Sequence, residues 1–141
     1  DGDPEYVDRA PGTAKTGTGW PVTPEALYYG IRFLTERYRL PLYITENGMS
    51  DLDNISADGQ VHDRERITFL DAYLGAVQRA INEGKPVIGY FLWTFLDNFE
   101  WAEGYSKRFG LVYIDYDNGL KRIKKDSFYA YQKIIEDTKK Q

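Results

Sequence analysis

The sequence predicts an α/β chain with parallel strands, on three observations. Two short apolar runs, 42–46 and 87–93, show no alternation of polar and apolar residues, the pattern of strands covered on both faces. Around and between them, apolar residues recur at helical spacing. Helix and strand alternate along the chain, which implies a parallel sheet joined by right-handed crossovers.

Taken in order, residues 1–22 hold Gly2, Gly12, Gly17 and Gly19 with Pro4, Pro11 and Pro21 and no apolar period, so they read as a long loop. A self-contained domain rarely opens so loosely, and the chain is expected to begin inside a loop of something larger. Thr23-Pro24-Glu25 is a helix start: a capping Thr, Pro at the first helical position and an acid in the first turn. Leu27, Ile31, Leu34 and Tyr38 share a face of that helix, which ends before Pro41. The strand 42–46 follows and runs into Glu46 and the turn Asn47-Gly48. After a polar stretch to His62, Asp63 is placed to cap a helix whose stripe is Ile67, Leu70, Leu74, Val77 and Ile81. Gly84 ends it and Pro86 precedes the strand 87–93. Residues 111–116 read as a short strand, Asp117-Asn118-Gly119 as a hairpin turn. Asp126 or Ser127 then caps a last helix that buries Phe128, Tyr131 and Ile135.

Two parallel strands are not a whole fold, and a closed (β/α)8 barrel takes about 200 or more residues. With 141 residues the chain is expected to be a piece of one domain. Its net charge of −4 argues against nucleic acid as a partner. It has no Cys, which removes disulfides and thiolate metal sites, and His62 as its one imidazole removes His-based triads and metal clusters; no metal or cofactor is expected. No apolar run reaches membrane-spanning length, and Asp1-Gly2-Asp3-Pro4-Glu5 is unlike a signal peptide. The expectation is a cytoplasmic protein without membrane contact, with secretion left open by the unseen true start.

The two strand ends carry the chemistry. Carboxyl ends of parallel strands are where α/β proteins place their sites. One delivers Glu46, the other Trp93 and then Asp97-Asn98-Phe99-Glu100-Trp101. Carboxylates flanked by indoles suit a sugar: acids bind hydroxyls or attack the anomeric carbon, and aromatic faces stack on C–H faces. Taken singly, Glu46 and Glu100 read as well as solvated acids, Asp97 as a loop cap and the Trp residues as core. Their occurrence together at neighbouring strand ends favours a site.

Longer motifs sharpen this. Tyr43-Ile44-Thr45-Glu46-Asn47-Gly48 resembles the nucleophile motif of glycoside hydrolase family 1, the β-glucosidase family. Residues 89–101, 104–111, 121–123 and 125–127 resemble the segments that follow it there, and from about Gly19 onward the resemblance is nearly continuous. It implies that the chain is the C-terminal quarter of a (β/α)8 TIM barrel, strands seven and eight with flanking helices, beginning in the loop after strand six. It implies that Glu46 is the nucleophile and that Glu100 binds the 4- and 6-hydroxyls. Trp93 would lie under the sugar ring, Trp101 would bond a hydroxyl through its N–H, and Phe109 would close the pocket. Trp20 aligns with a residue lining the leaving-group side, although Val22-Thr23 and Ala26 depart from the pattern nearby.

The family is retaining, with an acid about 5–5.5 Å from the nucleophile. That acid lies in an Asn-Glu-Pro motif, and none occurs here. The resemblance therefore implies a β-glycosidase acting on a β-glucoside or related β-hexoside, active only with the N-terminal remainder of the barrel, which could be a separate chain. The fragment alone is expected to be inactive. Glu100 would repel a sugar phosphate, so an unphosphorylated hexoside is expected. The competing reading is a non-catalytic sugar-binding or structural fragment. His62 reads as a loop residue.

Overall fold

The computed structural model describes residues 14–139, and the part of the expected loop over 1–13 lies outside the described residues. The elements are α1 (Pro24–Tyr38), β1 (Leu42–Asn47), α2 (Arg64–Asn82), β2 (Val87–Leu92), a 3-10 turn (Trp101–Glu103), β3 (Val112–Asp115), β4 (Lys121–Lys124) and α3 (Asp126–Thr138). β1 and β2 pair in parallel across α2, with Leu42 opposite Val87 and Ile44 opposite Tyr90. β3 and β4 are the expected hairpin. No helix among the described residues is long and apolar enough to cross a membrane.

The core lies on the helical side of β1 and β2, where Tyr28 and Ile31 of α1 and Val77 and Ala80 of α2 close over Ile44. A second cluster of Met49, Phe69 and Tyr73 sits toward the strand ends, its two rings stacked with centroids 4.0 Å apart. The expected burial of both strand faces does not hold in this chain: Tyr43 and Phe91 are each 57% exposed, and Ile88 is exposed as well. Among the described residues only one face of the two-stranded sheet is covered, so apolar runs written for two-sided burial stand half bare.

The helix faces also differ from expectation. α1 buries Tyr28, Ile31 and Thr35, while Leu34 and Tyr38 are exposed. Buried Thr35 is tolerated because its hydroxyl donates to the Ile31 carbonyl at 2.8 Å. α2 buries Arg66, Phe69, Leu70, Tyr73, Val77 and Ala80, a stripe rotated from the purely apolar one, which leaves Ile67 and Leu74 half-buried and Ile81 exposed. Ile135 of α3 is exposed and Phe128 and Tyr131 only half-buried. Hydropathy misses these faces because an arginine belongs to one of them.

That arginine is part of a buried chain of charges. Arg66 grips Asp53 through both terminal nitrogens, at 3.2 and 2.8 Å, and also pairs with Asp63. Lys125 bridges Asp53 and Asp97, the latter at 2.9 Å, and Arg108 meets Asp97 at 2.7 Å. Three carboxylates face three cations, so the cluster is neutral. Burial works against the Arg66 charge, but Asp53 and then Asp63 outweigh it and leave its pKa raised. For Lys125, burial and then the Arg66 charge win, and its pKa is lowered despite Asp53 and Asp97.

The caps are corrected by the same network. Thr23 makes no side-chain cap; its N–H donates to the Tyr73 hydroxyl at 2.9 Å. Asp63 does not cap its own helix either. Its carboxylate accepts from the N–H of Ser127 at 2.9 Å and from the Ser127 hydroxyl, so it caps α3 from a distance. Lys125 occupies the N-cap position, with Asp126 and Ser127 inside the helix. Asp126 is engaged elsewhere: its Oδ2 lies 2.7 Å from His62 Nδ1, and Asp58 Oδ2 is 3.1 Å from His62 Nε2. His62 is thus a clasp between the loop after β1 and the start of α3.

At the strand ends, Trp93 N–H donates to the Asn47 carbonyl at 2.9 Å. A Cβ on Gly48 would stand 1.7 Å from the Trp93 carbonyl oxygen, so only glycine allows this approach.

Four variants test these contacts. Asp63→Ala leaves Arg66 its Asp53 partner but gives the buried cluster one uncompensated positive charge and takes the acceptor from the first turn of α3, and should cost about 3–5 kcal/mol by urea denaturation. Gly48→Ala should destabilise by about 1–3 kcal/mol, whereas Gly75→Ala, with open space at its Cβ within α2, should stabilise by about 0.5–1 kcal/mol. The His62 pKa is raised, first by its hydrogen bond to Asp126 and next by that to Asp58. Stability from the clasp is therefore fully present below about pH 6.5 and is lost as pH rises through the raised value. Urea midpoints at pH 5.5 and 8.5 should differ less in His62→Gln than in the parent.

Candidate active site

The end of β1 is irregular: the register shifts between Ile44 and Asn47, and Asn47 then pairs with Leu92. Glu46 lies within this shift and is exposed. The Asn47 side chain accepts from the Tyr90 hydroxyl at 2.8 Å, and burial raises the pKa of that phenol. Trp93 leaves β2 beside Glu46 and Asn47 and is half-buried; its peptide bond to Thr94 is cis.

The loop after β2 is closed at its base before it reaches the cavity. Residues 94–97 run along 109–112 through main-chain bonds: Thr94 N to Phe109 O, Leu111 N to Thr94 O, and Asp97 N to Val112 O. Asp97 then collects the N–H groups of Gly110 (2.9 Å) and Ile114 (3.3 Å) besides Lys125 and Arg108. The Arg108 carbonyl accepts from Asp51 N–H and from Arg66, tying this loop to the one after β1. Beyond this base the loop turns once, through the 3-10 turn, and sends Glu100 and Trp101 outward. Trp101 has φ +43° and is 85% exposed, whereas Phe109 is 5% exposed.

These parts enclose an open cavity of about 420 Å³, in the size range of small-molecule sites. All six residues singled out from the sequence line it: Glu46, Trp93, Glu100, Trp101, Phe109 and Trp20. Trp20 arrives from the tight turn 16–20 and is 55% exposed. The wall also includes Phe69 and Tyr73 of α2, together with Thr16, Pro21, Asn47 and Gly48, which sequence reasoning missed. Phe69 and Tyr73 could have been found as an aromatic pair one helical turn apart. Asp97 stands outside the cavity: it caps the N–H groups of Gly110 and Ile114, as one reading of the sequence had it, and belongs to the buried charge network.

Among the described residues the lining contains two carboxylates and no Lys or Arg. Such a site offers acceptors for hydroxyl groups and flat apolar faces for a ring, and among the described residues it presents no cationic side chain. Among the described residues no group of three or more His, Cys, Asp or Glu is placed to hold a metal ion.

Comparison with known proteins finds extensive similarity to β-glucosidases. β-Glucosidase A of Thermotoga maritima is 52% identical over 124 residues, a match covering 87% of this chain and 28% of that protein. The bifunctional β-D-glucosidase/β-D-fucosidase of Bifidobacterium breve is 50% identical over 127 residues, 86% of this chain and 27% of that one. An aryl-phospho-β-D-glucosidase of Bacillus subtilis is 44% identical over 121 residues, 83% of this chain and 25% of that one. The solved family 1 β-glucosidase of Thermotoga maritima superposes with a TM-score of 0.88 at 50% identity, covering 92% of this chain and 29% of the other. The chain thus spans less than a third of the length of these relatives. Its two parallel strands and their helices are a small part of a TIM barrel. The profile of Glycosyl hydrolase family 1 matches residues 3–140, and the chain belongs to that family.

Proposed function

We propose that this chain is the nucleophile-bearing part of a retaining β-glycosidase that hydrolyses terminal, non-reducing β-D-hexosides, and that it acts only with the rest of the barrel. The observation that carries the reading is the convergence of Glu46, Glu100 and three indoles on one cavity. Glu46 attacks the anomeric carbon and forms a covalent glycosyl-enzyme while the leaving oxygen takes a proton; water then releases the sugar. The proton donor and the groups that hold Glu46 belong to the rest of the barrel. Glu100 accepts from sugar hydroxyls, Trp93 stacks beneath the ring, Trp101 donates its N–H, Phe109 closes the pocket and Trp20 faces the leaving group. The name of the Bacillus relative carries a phosphorylated substrate. Here Glu100 with no cation in the lining disfavours a phosphate, so the proposed glycone is unphosphorylated.

The test joins residues 1–141 to the part of Thermotoga maritima β-glucosidase A that the chain does not span. The joined protein should hydrolyse an aryl β-glucoside, and a 2-deoxy-2-fluoro-β-glucoside should add its sugar mass to the peptide containing Glu46. Glu46→Gln should lower kcat by at least about a thousandfold. Glucose binding without label or turnover would favour a non-catalytic sugar-binding piece. Residues 1–141 alone should show no turnover, and turnover lost in Glu46→Gln would refute that part.

A further inference from the structure

We propose that Lys107 is a positioning residue for the leaving-group side of the cavity: its ammonium, bonded to the Gly17 carbonyl, fixes the turn that presents Trp20. The proposal rests on the glycosidase reading above. The turn is closed by Thr16 N–H to the Trp20 carbonyl and Gly19 N–H to the Thr16 carbonyl, each at 2.8 Å. Gly17, inside it, is gripped through both of its polar groups. Its N–H donates to the Ser50 carbonyl at 2.7 Å, and its carbonyl accepts from Lys107 Nζ at 2.7 Å. The turn is pressed against the loop after β1, since a Cβ on Gly17 would lie 3.1 Å from Ser50 O and Asp51 Cα.

Two features make Lys107 decisive here. Among the described residues its ammonium has no carboxylate partner, so its charge-assisted bond is spent on this carbonyl. The Trp20 indole is more than half exposed and meets no other ring among the described residues, so its place depends on the backbone turn beneath it. Lys107 belongs to the loop that carries Glu100 and Trp101, and it therefore sets the distance between the Trp20 turn and the sugar side. Loss of the latch loosens Trp20 while Glu46, Trp93, Glu100 and Phe109 keep their supports. In a double displacement the leaving group is present only in the first step, so the defect appears only with leaving groups large enough to touch Trp20.

The experiment uses the joined protein with aryl β-glucoside and β-glucosyl fluoride. Lys107→Met should lower kcat/KM about tenfold for the aryl substrate, the worth of one charge-assisted hydrogen bond, and leave the fluoride within about twofold. Lys107→Arg should restore the aryl value, and in a Trp20→Ala background Lys107→Met should cost nothing further. Equal losses on both substrates, or none on either, would overturn the proposal. Acrylamide quenching of Trp20, with Trp93, Trp101 and every Trp of the joined portion replaced by Phe, reads the latch without catalysis. Lys107→Met should raise the quenching constant at least about twofold, and an unchanged constant also overturns the proposal. A joined parent that hydrolyses no β-glycoside removes the glycosidase reading, and with it the leaving-group role, whatever the quenching reports of the latch.

Discussion

The buried alternation of Asp63, Arg66, Asp53, Lys125, Asp97 and Arg108 is what the rest of the chain depends on. Taking one such charge out of water is costly, and the arrangement is tolerable because every charge meets an opposite one and the spare lone pairs receive main-chain N–H groups. Its members come from the loop after β1, the start of α2, the loop after β2 and the entry to α3. Those segments also bury apolar side chains, among them Met49, Val61, Phe109 and Leu111, but their charged members are seated by one another. The apolar clusters secure the helices and strands, while the ionic cluster decides where the loops stand.

This division of labour shapes the cavity. Phe109 is fixed because Arg108 and Gly110 on either side of it are tied to the network. Glu100 and Trp101 stand beyond the tied base, on a turn whose own bonds, such as Glu100 N–H to the Gly104 carbonyl at 2.7 Å, give it a fixed shape. The wall is thus graded, from a buried ring at Phe109 to an indole almost wholly in solvent at Trp101. A sugar-sized ligand would meet rigid apolar surface at one side and polar, adjustable groups at the other.

The strands, the hairpin, the helix limits near Pro24 and Gly84 and the meeting of the six lining residues were legible in the sequence, because each depends on local chemistry or on long contiguous motifs. Burial was less legible. Tyr43 and Phe91 belong to strands whose second face has no cover among the described residues; their apolar pattern signals a covering neighbour but not whether this chain supplies it. Arg66 and Lys125 defeat hydropathy outright, being among the most polar side chains and yet fully buried. Asp63 looked like the cap of the helix it precedes, because sequence reasoning pairs a cap with its nearest helix; its partner Ser127 is far along the chain. Phe69 and Tyr73 escaped because a helix face that lines a cavity and one that fills a core carry the same pattern.

The network also has a genetic side. All six charged partners lie between Asp53 and Lys125, in one uninterrupted stretch. A crossover between two homologous genes placed before codon 53 passes the whole set to one offspring, with every pair inherited from a single parent. A crossover inside the stretch mixes halves tuned separately, and a shift of one side chain leaves an uncompensated charge where no water reaches it. Shuffled libraries of this family should therefore be enriched, among folded members, in junctions that leave this stretch intact.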